Sequence, residues 1–471
     1  MEENTIFQPS ASSVPQSTGG QQPAEQVQPQ PAQESRPHIS IMTIVKAILG
    51  VLVILVVGFL LVNFVFSKLS KKSEAVTLTY WGLWEDQNIF KGVIEDFQKQ
   101  NPNITVNYIK QDIKDYRERL MVRTQNGTGP DIFRFHNTWI PQLSNIVLPL
   151  PKDIVTVSEF QNNYFLVTQT DIIKNGALYG VPLGIDTLSL FINLDLFKSA
   201  GYTPPTNWDD FLRIARGLTV KDESGKIKTS GASMGTFDNV NHAPDIISML
   251  MLQNGTNVRN ISENPKAASE ALLFYVSFAK PPDNVWDQTL EQSLTAFAKG
   301  KAGMYFGYSW DVFTIKALNP NLAFDVKEVP HLFGRNITTA SYWIEGVNVK
   351  SKHQKEALLF LKHLAQKQTA EKLFTTESKT RLFGEPYARI DSAETLKSNP
   401  LVYPFVKQAK TARSSFFAAD TFDNGFNSRM NVYLGNAVRS MLDNTSAETA
   451  TDTLASGVNQ VLNQYEPKPQ K

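Results

Sequence analysis

The sequence predicts an α/β protein with a soluble body of two lobes, preceded by a polar tail and one membrane-crossing helix. Three observations carry this. Strand-period and helix-period segments alternate from Val76 onward. No linker interrupts the body between about Val76 and Pro467, so two lobes would share chain crossings instead of being strung in series. A charge-free run from Ala47 to Phe66 precedes that body.

The first 40 residues hold eight Gln, six Pro and six Ser, with Phe7 as the only aromatic, and read as disordered. Such a segment buries too little apolar area to offset the entropy of ordering it. The run Ala47–Phe66 is 20 residues long, and Asn63 is its one strongly polar member. At about 1.5 Å per residue it covers the roughly 30 Å hydrocarbon core of a bilayer. It is too long for the apolar region of a signal peptide, and the tail before it is acidic, so an uncleaved transmembrane helix is expected. Arg36 and Lys46 precede the span, and Lys68, Lys71 and Lys72 follow it. Taken alone, those flanks favour a cytoplasmic C-terminal side.

In the body, Val76, Leu78 and Tyr80 alternate with polar residues as a half-buried strand does. Ile89, Phe90, Val93, Ile94 and Phe97 then follow helical spacing, Pro102 ends that helix, and Ile104, Val106 and Tyr108 resume alternation. This β–α–β succession implies a largely parallel sheet. Thr206-Asn207-Trp208-Asp209 reads as a capping box for a helix through Phe211, Leu212 and Ile214. Ala357, Leu358, Leu361, Leu364 and Ala365 form another amphipathic face.

Composition removes several function classes. The 471 residues carry 46 Lys plus Arg against 45 Asp plus Glu, a balance unlike the basic footprint of a nucleic-acid binder. Cysteine is absent, which excludes disulfides, thiolate metal sites and a cysteine nucleophile. There is no phosphate-binding loop, no H-E-x-x-H and no G-x-S-x-G, and Gly127-Thr128-Gly129-Pro130 lacks dinucleotide spacing. No cofactor, metal site or catalytic residue is expected. Glu85, Asp86, Asp186 and Glu345 follow apolar segments, and two carboxyls across a cleft could serve a glycosidase. Spacing in sequence does not test that separation.

Several segments together resemble the extracellular solute-binding proteins of bacterial ABC importers, closest to the sugar-binding, maltose-binding-protein-like group. They are Val76-Thr77-Leu78-Thr79-Tyr80-Trp81-Gly82, the Gly127–Ile132 turn, Leu178-Tyr179-Gly180-Val181-Pro182 with Leu190-Phe191-Ile192-Asn193, and the Leu196–Phe211 passage. Phe297-Ala298-Lys299-Gly300-Lys301-Ala302-Gly303-Met304 and the Ser351–Leu361 helix complete the set in family order. The resemblance implies a type II periplasmic-binding-protein fold with hinge strands and a ligand held between lobes. It divides the chain into a tail (1–40), the transmembrane helix (41–67), lobe 1 (75–186), lobe 2 (187–344), a return to lobe 1 (345–412) and a return to lobe 2 (413–467).

It also implies a monomeric body that binds a mono- or oligosaccharide and delivers it to ABC permease subunits, with no nucleic-acid partner. The binding body would then lie outside the cell and the tail in the cytoplasm, against the weak charge count. The alternatives are a membrane-tethered carbohydrate-active enzyme and a sensing receptor that does not transport. The expected ligand contacts begin with Trp81 and Trp84, whose rings could stack on a pyranose, and Glu85 and Asp86, whose carboxylates could accept hydroxyls. Arg134, His136, Asn137 and Trp139 follow the third strand, and Asp186 matches the family's acidic hinge residue. Tyr308 and Trp310 match an aromatic platform, joined by Asn239, Trp343, Glu345, Phe422 and Phe426. For most of these side chains, ordinary core packing or a turn role is the competing explanation.

Overall fold

The computed structural model describes residues 40–69, 74–143 and 145–465, so the expected disordered tail lies almost wholly outside the described residues. The chain divides into two compact units, Met1–Ser73 and Glu74–Lys471. In the first, a helix runs Ile41–Leu69, and its portion Ile41–Asn63 is long and apolar enough to cross a membrane. The one polar side chain in that portion's apolar run is satisfied within the helix, because Asn63 Nδ2 donates to the Phe59 carbonyl at 3.0 Å. Internal satisfaction is what a hydrocarbon environment demands of a polar group.

The second unit holds two five-stranded sheets. In the first, strands run in the order Ile104–Lys110, Val76–Gly82, Ile132–His136, Trp343–Val347, Val181–Pro182. The first three are parallel and the last two antiparallel to their neighbours. The helix Gln87–Gln100 provides the expected crossover, burying Phe90, Val93, Ile94 and Phe97. In the second sheet the order is Phe324–Lys327, Ser189–Asn193, Ala302–Gly307, Ile227–Ala232, Val220–Lys221. Helices Phe426–Leu442 and Ala447–Tyr465 pack beside Pro265–Ser277 on this second lobe.

The lobes are joined by segments lying side by side. Asp186–Thr187 leads into the second sheet and pairs antiparallel with Ala340–Ser341, which leads back into the first. A third pass runs alongside, with Thr339 bridged in parallel to Arg413. Gln408 Nε2 clamps the hinge by donating to Thr187 Oγ1 at 3.0 Å and to the Leu188 carbonyl at 2.9 Å.

Two local expectations are corrected. The helix Trp208–Leu218 is capped by Asn207, whose side chain accepts from Asp210 N, one residue later than the box read from sequence. Alternation in Val76–Gly82 fails at Trp81, which is buried like Tyr80. The strand is interior to a sheet covered on both faces: Tyr80 packs on Phe90, Tyr108 and Phe360, while Trp81 lies against Tyr116.

Candidate functional site

The turn that follows Val76–Gly82 buries Leu83 completely and projects Trp84 outward at φ 64°, 43% exposed. A bulky residue in the left-handed region costs conformational energy that the surroundings must impose, and such positions concentrate at ligand clamps. Its ring meets Trp343 edge-on at 5.8 Å and Phe422 at 5.7 Å. Trp343 in turn packs edge-on against His136 and Trp139. A cavity of about 40 Å³ opens beside Trp84 and Trp343, with Glu85, Arg134, Glu377 and Glu385 in its lining.

Beneath this aromatic wall is a buried charge triad. The antiparallel register sets Arg134 directly opposite Glu345. Arg134 Nε donates to Glu345 Oε1 at 2.6 Å, and its Nη1 donates to Glu85. Burial pushes the Glu345 carboxyl up, and the Arg134 guanidinium beside it opposes that rise. The result is a rigid floor that fixes the loop carrying Trp84.

The second lobe contributes Tyr308 and Trp310 at the start of the helix Ser309–Leu318. Their rings stack at 4.5 Å with 17° between planes, and Tyr308 Oη donates to Asp245 Oδ1 at 2.8 Å. Asp311 accepts from Tyr305 Oη at 3.0 Å and Tyr308 N at 3.1 Å, and lies 2.8 Å from His242 Nε2. At the hinge, Asp186 accepts from Ser309 N at 2.8 Å and from Thr187 N at 2.9 Å. Burial raises its carboxyl well above the ordinary range, in part against those donors.

One segment, Asp420–Asn424, ties the two walls together. Its residues Asp420, Phe422 and Asn424 are all left-handed, at φ 54°, 52° and 46°. On the second-lobe side, Ala419 N donates to Asp245 Oδ2 and Asp420 lies 3.6 Å from His242 Nδ1. On the first-lobe side, Trp139 Nε1 donates to the Thr421 carbonyl at 3.0 Å and Gln142 reaches Asp423. Trp343, Trp84, Phe422, Asp420, His242, Trp310 and Tyr308 therefore form one continuous run across both lobes.

His242 is buried, which opposes its charge, yet Asp311, Asp420 and Asp245 outweigh that and raise its pKa to about 9. A raised histidine pKa contributes stability that is complete below the unfolded value of about 6.5 and is lost as pH climbs through 9. We therefore expect His242→Gln to lower the melting temperature of the body at pH 6 and the difference to shrink towards pH 10. Melting curves at pH 6, 8 and 10 check this, and a constant difference across the series would refute it.

The structure brings Trp84, Glu85, Arg134, Trp343, Glu345 and Phe422 together on one side and Asp186, Tyr308 and Trp310 on the other. It places the remaining expected residues elsewhere. Trp81 is in the core, and Asp86 is on the surface, paired with Lys110 at 2.7 Å. Asn239 spends its amide on the Asp287 and Leu290 carbonyls, and Phe426 is buried between Phe416 and Tyr465. Trp139 and His136 are buried beneath Trp343, and burial drives the His136 pKa down to about 3, leaving it neutral. Asn137 turns towards Asp171 and Ser414, in a separate hollow of about 310 Å³. His242, Asp245, Asp311 and Asp420 escaped the sequence reading, as did Glu377 and Glu385, because no short motif connects them.

Residues 81–371 match the family described as bacterial extracellular solute-binding protein. The multiple sugar-binding protein of Streptococcus mutans is 24% identical over 356 residues, covering 72% of this chain and 81% of its own. The galactooligosaccharide-binding protein of Bacillus subtilis is 21% identical over 371 residues, covering 75% and 82%. Among solved structures, the sugar-binding protein MalE from Xanthomonas citri superposes with a TM-score of 0.67 at 18% identity, covering 82% of this chain and 98% of that one. A cyclo/maltodextrin-binding protein complexed with maltotetraose gives 0.66 at 16% identity, covering 85% and 100%. These likenesses establish the fold as the two-lobed, type II periplasmic-binding architecture.

Proposed function

The chain belongs to the bacterial extracellular solute-binding proteins, and from that membership we propose that it captures a carbohydrate between its lobes and passes it to an ABC import permease. The observation that carries this is the continuous run of aromatic rings, with the half-exposed Asp420 among them, that links the two lobes through Asp420–Asn424. Aromatic faces suit the C–H faces of a pyranose, and carboxylates accept its hydroxyls. The names of the Streptococcus mutans and Bacillus subtilis relatives point to the same ligand class.

Capture proceeds without covalent chemistry. Open and closed forms exchange about the paired crossing strands, and a ligand that touches both lobes shifts the population to the closed form. Trp84 and Trp343 offer rings from the first lobe, Trp310 on Tyr308 offers one from the second, and Asp186 fixes the base between them. Arg134 holds Glu85 and Glu345, so these carboxylates support the wall instead of cleaving bonds. The helix Ile41–Asn63 anchors the chain in the cell membrane, with the tail cytoplasmic, the body outside and the body monomeric.

The test is thermal melting of the unit from Glu74 onward against mono- and oligosaccharides. A ligand that binds only the folded state adds stability as the logarithm of its concentration over its dissociation constant, about 2.7 kcal/mol at a hundredfold excess. We expect a concentration-dependent rise for one sugar family. A flat response across maltose-, mannose-, galactose- and arabinose-based oligomers would remove carbohydrate as the ligand class.

A further inference from the structure

We infer that the cavity beside Trp84 and Trp343 receives a protonated amine carried by the ligand, so that the cleft prefers an amino-substituted carbohydrate to its neutral parent. The inference rests on the carbohydrate reading above and names a substituent that the reading leaves open.

The cavity lies where the turn after Val76–Gly82 meets the helix Lys367–Glu377, and its volume of about 40 Å³ suits a water-sized group, not a sugar ring. Trp84 and Trp343 form its aromatic side, with ring centroids 5.8 Å apart. Glu85, Glu377 and Glu385 form its acidic side. The side chains of Glu85 and Glu377 are only 8% and 6% exposed. Glu85 spends Oε2 on Arg134, and Glu377 spends Oε2 on Arg381 Nη2 and on Glu385 N. Their Oε1 atoms accept no hydrogen bond from the described residues, yet neither atom is sealed from solvent. Acceptors buried this far without a donor are costly, so the cavity favours a group that brings several donors.

Charge decides which group that is. Glu85 and Glu345 share Arg134, while Glu377 and Glu385 share Arg381, so four carboxylates face two guanidiniums. When all are ionised, two negative charges are left over. Burial raises Glu377 to about 7, opposed by Arg381 and reinforced by Glu385 and Glu85. Burial also raises Glu385, opposed by Arg381 and reinforced by Glu85. A cation in the cavity would stabilise the ionised forms of both. A hydroxyl offers one proton, whereas an ammonium offers three together with a positive charge. Indole rings attract the same cation through their faces. A carboxylate or phosphate substituent would meet repulsion instead. Among the described residues, no group of acidic or histidine side chains is arranged to hold a metal ion.

The experiment uses the full chain in detergent micelles. Maltotetraose, mannotriose and galactotriose are titrated by calorimetry, each beside versions in which one hydroxyl is replaced by a primary amine. We expect one amino version to bind the wild type about tenfold more tightly than its parent at pH 7.5. Glu377→Gln and Glu385→Gln should each pull that ratio to within about threefold of unity, since each removes one negative charge from the wall. The ratio compares two ligands on one protein, so a loss of folded material cancels. A pH series on the wild type needs no variant: the ratio should shrink towards pH 5.5 as Glu377 and Glu385 take up protons. The amine only gains charge as pH falls, so that loss belongs to the carboxylates. If a parent sugar binds but no amino version gains more than about twofold, the amine site is overturned and sugar capture stands. A gain that survives both variants and pH 5.5 would overturn the assignment to this cavity. If neither parents nor amino versions bind, sugar capture for these classes falls, and the amine site falls with it.

Discussion

Replacing Arg134 with methionine is expected to cost about 3–5 kcal/mol of folding stability, the range for removing one partner of a buried ion pair. The expectation follows from what the arginine leaves behind. Glu345 is fully buried and directly opposite Arg134 in the sheet, and Glu85 is nearly so. Without the guanidinium, two carboxyls face each other in apolar surroundings formed by Phe90, Tyr80 and Tyr108. They must then be protonated or left uncompensated. The double variant Arg134→Met with Glu345→Met should recover much of the loss, because packed apolar side chains can replace a buried pair with little change in stability. Urea unfolding of the body measures both, and a single-variant loss below about 1 kcal/mol would show the triad to be well solvated.

Trp310→Ala is expected to weaken carbohydrate binding by about thirtyfold or more, matching the 2 kcal/mol or greater cost of truncating a buried aromatic anchor. One face of Trp310 is already used, stacked on Tyr308, which is itself locked by Asp245. The indole is therefore ordered before ligand arrives, and the affinity it supplies is not reduced by an ordering cost. Tyr308→Phe keeps the stack and loses only the hydrogen bond, so its effect should be smaller. Titration with the sugar found by melting would check both, and a Trp310→Ala affinity within threefold of wild type would place the ligand elsewhere.

The β–α–β opening was legible because each apolar position of Val76–Lys110 has a local reason to be apolar, and periodicity is a local signal. Trp310 was legible through the short passage around Gly300–Met304, which fixes its place after a strand. Trp81 and Trp84 show where such reading stops. They lie three apart, and only the burial of both sheet faces sends the first inward, while a left-handed turn sends the second outward. Glu85 and Asp86 are adjacent, yet one meets Arg134 across the sheet and the other meets Lys110 on the surface. His242 and Asp420 carry no signal in their neighbourhoods at all. Their proximity is made by the Asp420–Asn424 crossing, a long-range contact that spacing along the chain does not encode.

The interleaving of the lobes also governs how the chain can be completed during synthesis. The strand Trp343–Val347 is the antiparallel neighbour of Ile132–His136, but the whole second sheet, through Phe324–Lys327, is made before it. Until then the growing first sheet has an open edge at Ile132–His136 and an arginine still waiting for Glu345. An unpaired edge of this kind is a template for mispairing with another chain. The nascent chain therefore passes through a long stage in which lobe 1 is vulnerable and lobe 2 still lacks its two terminal helices. Neither lobe is complete in chain order until the segments from Trp343 onward have been made.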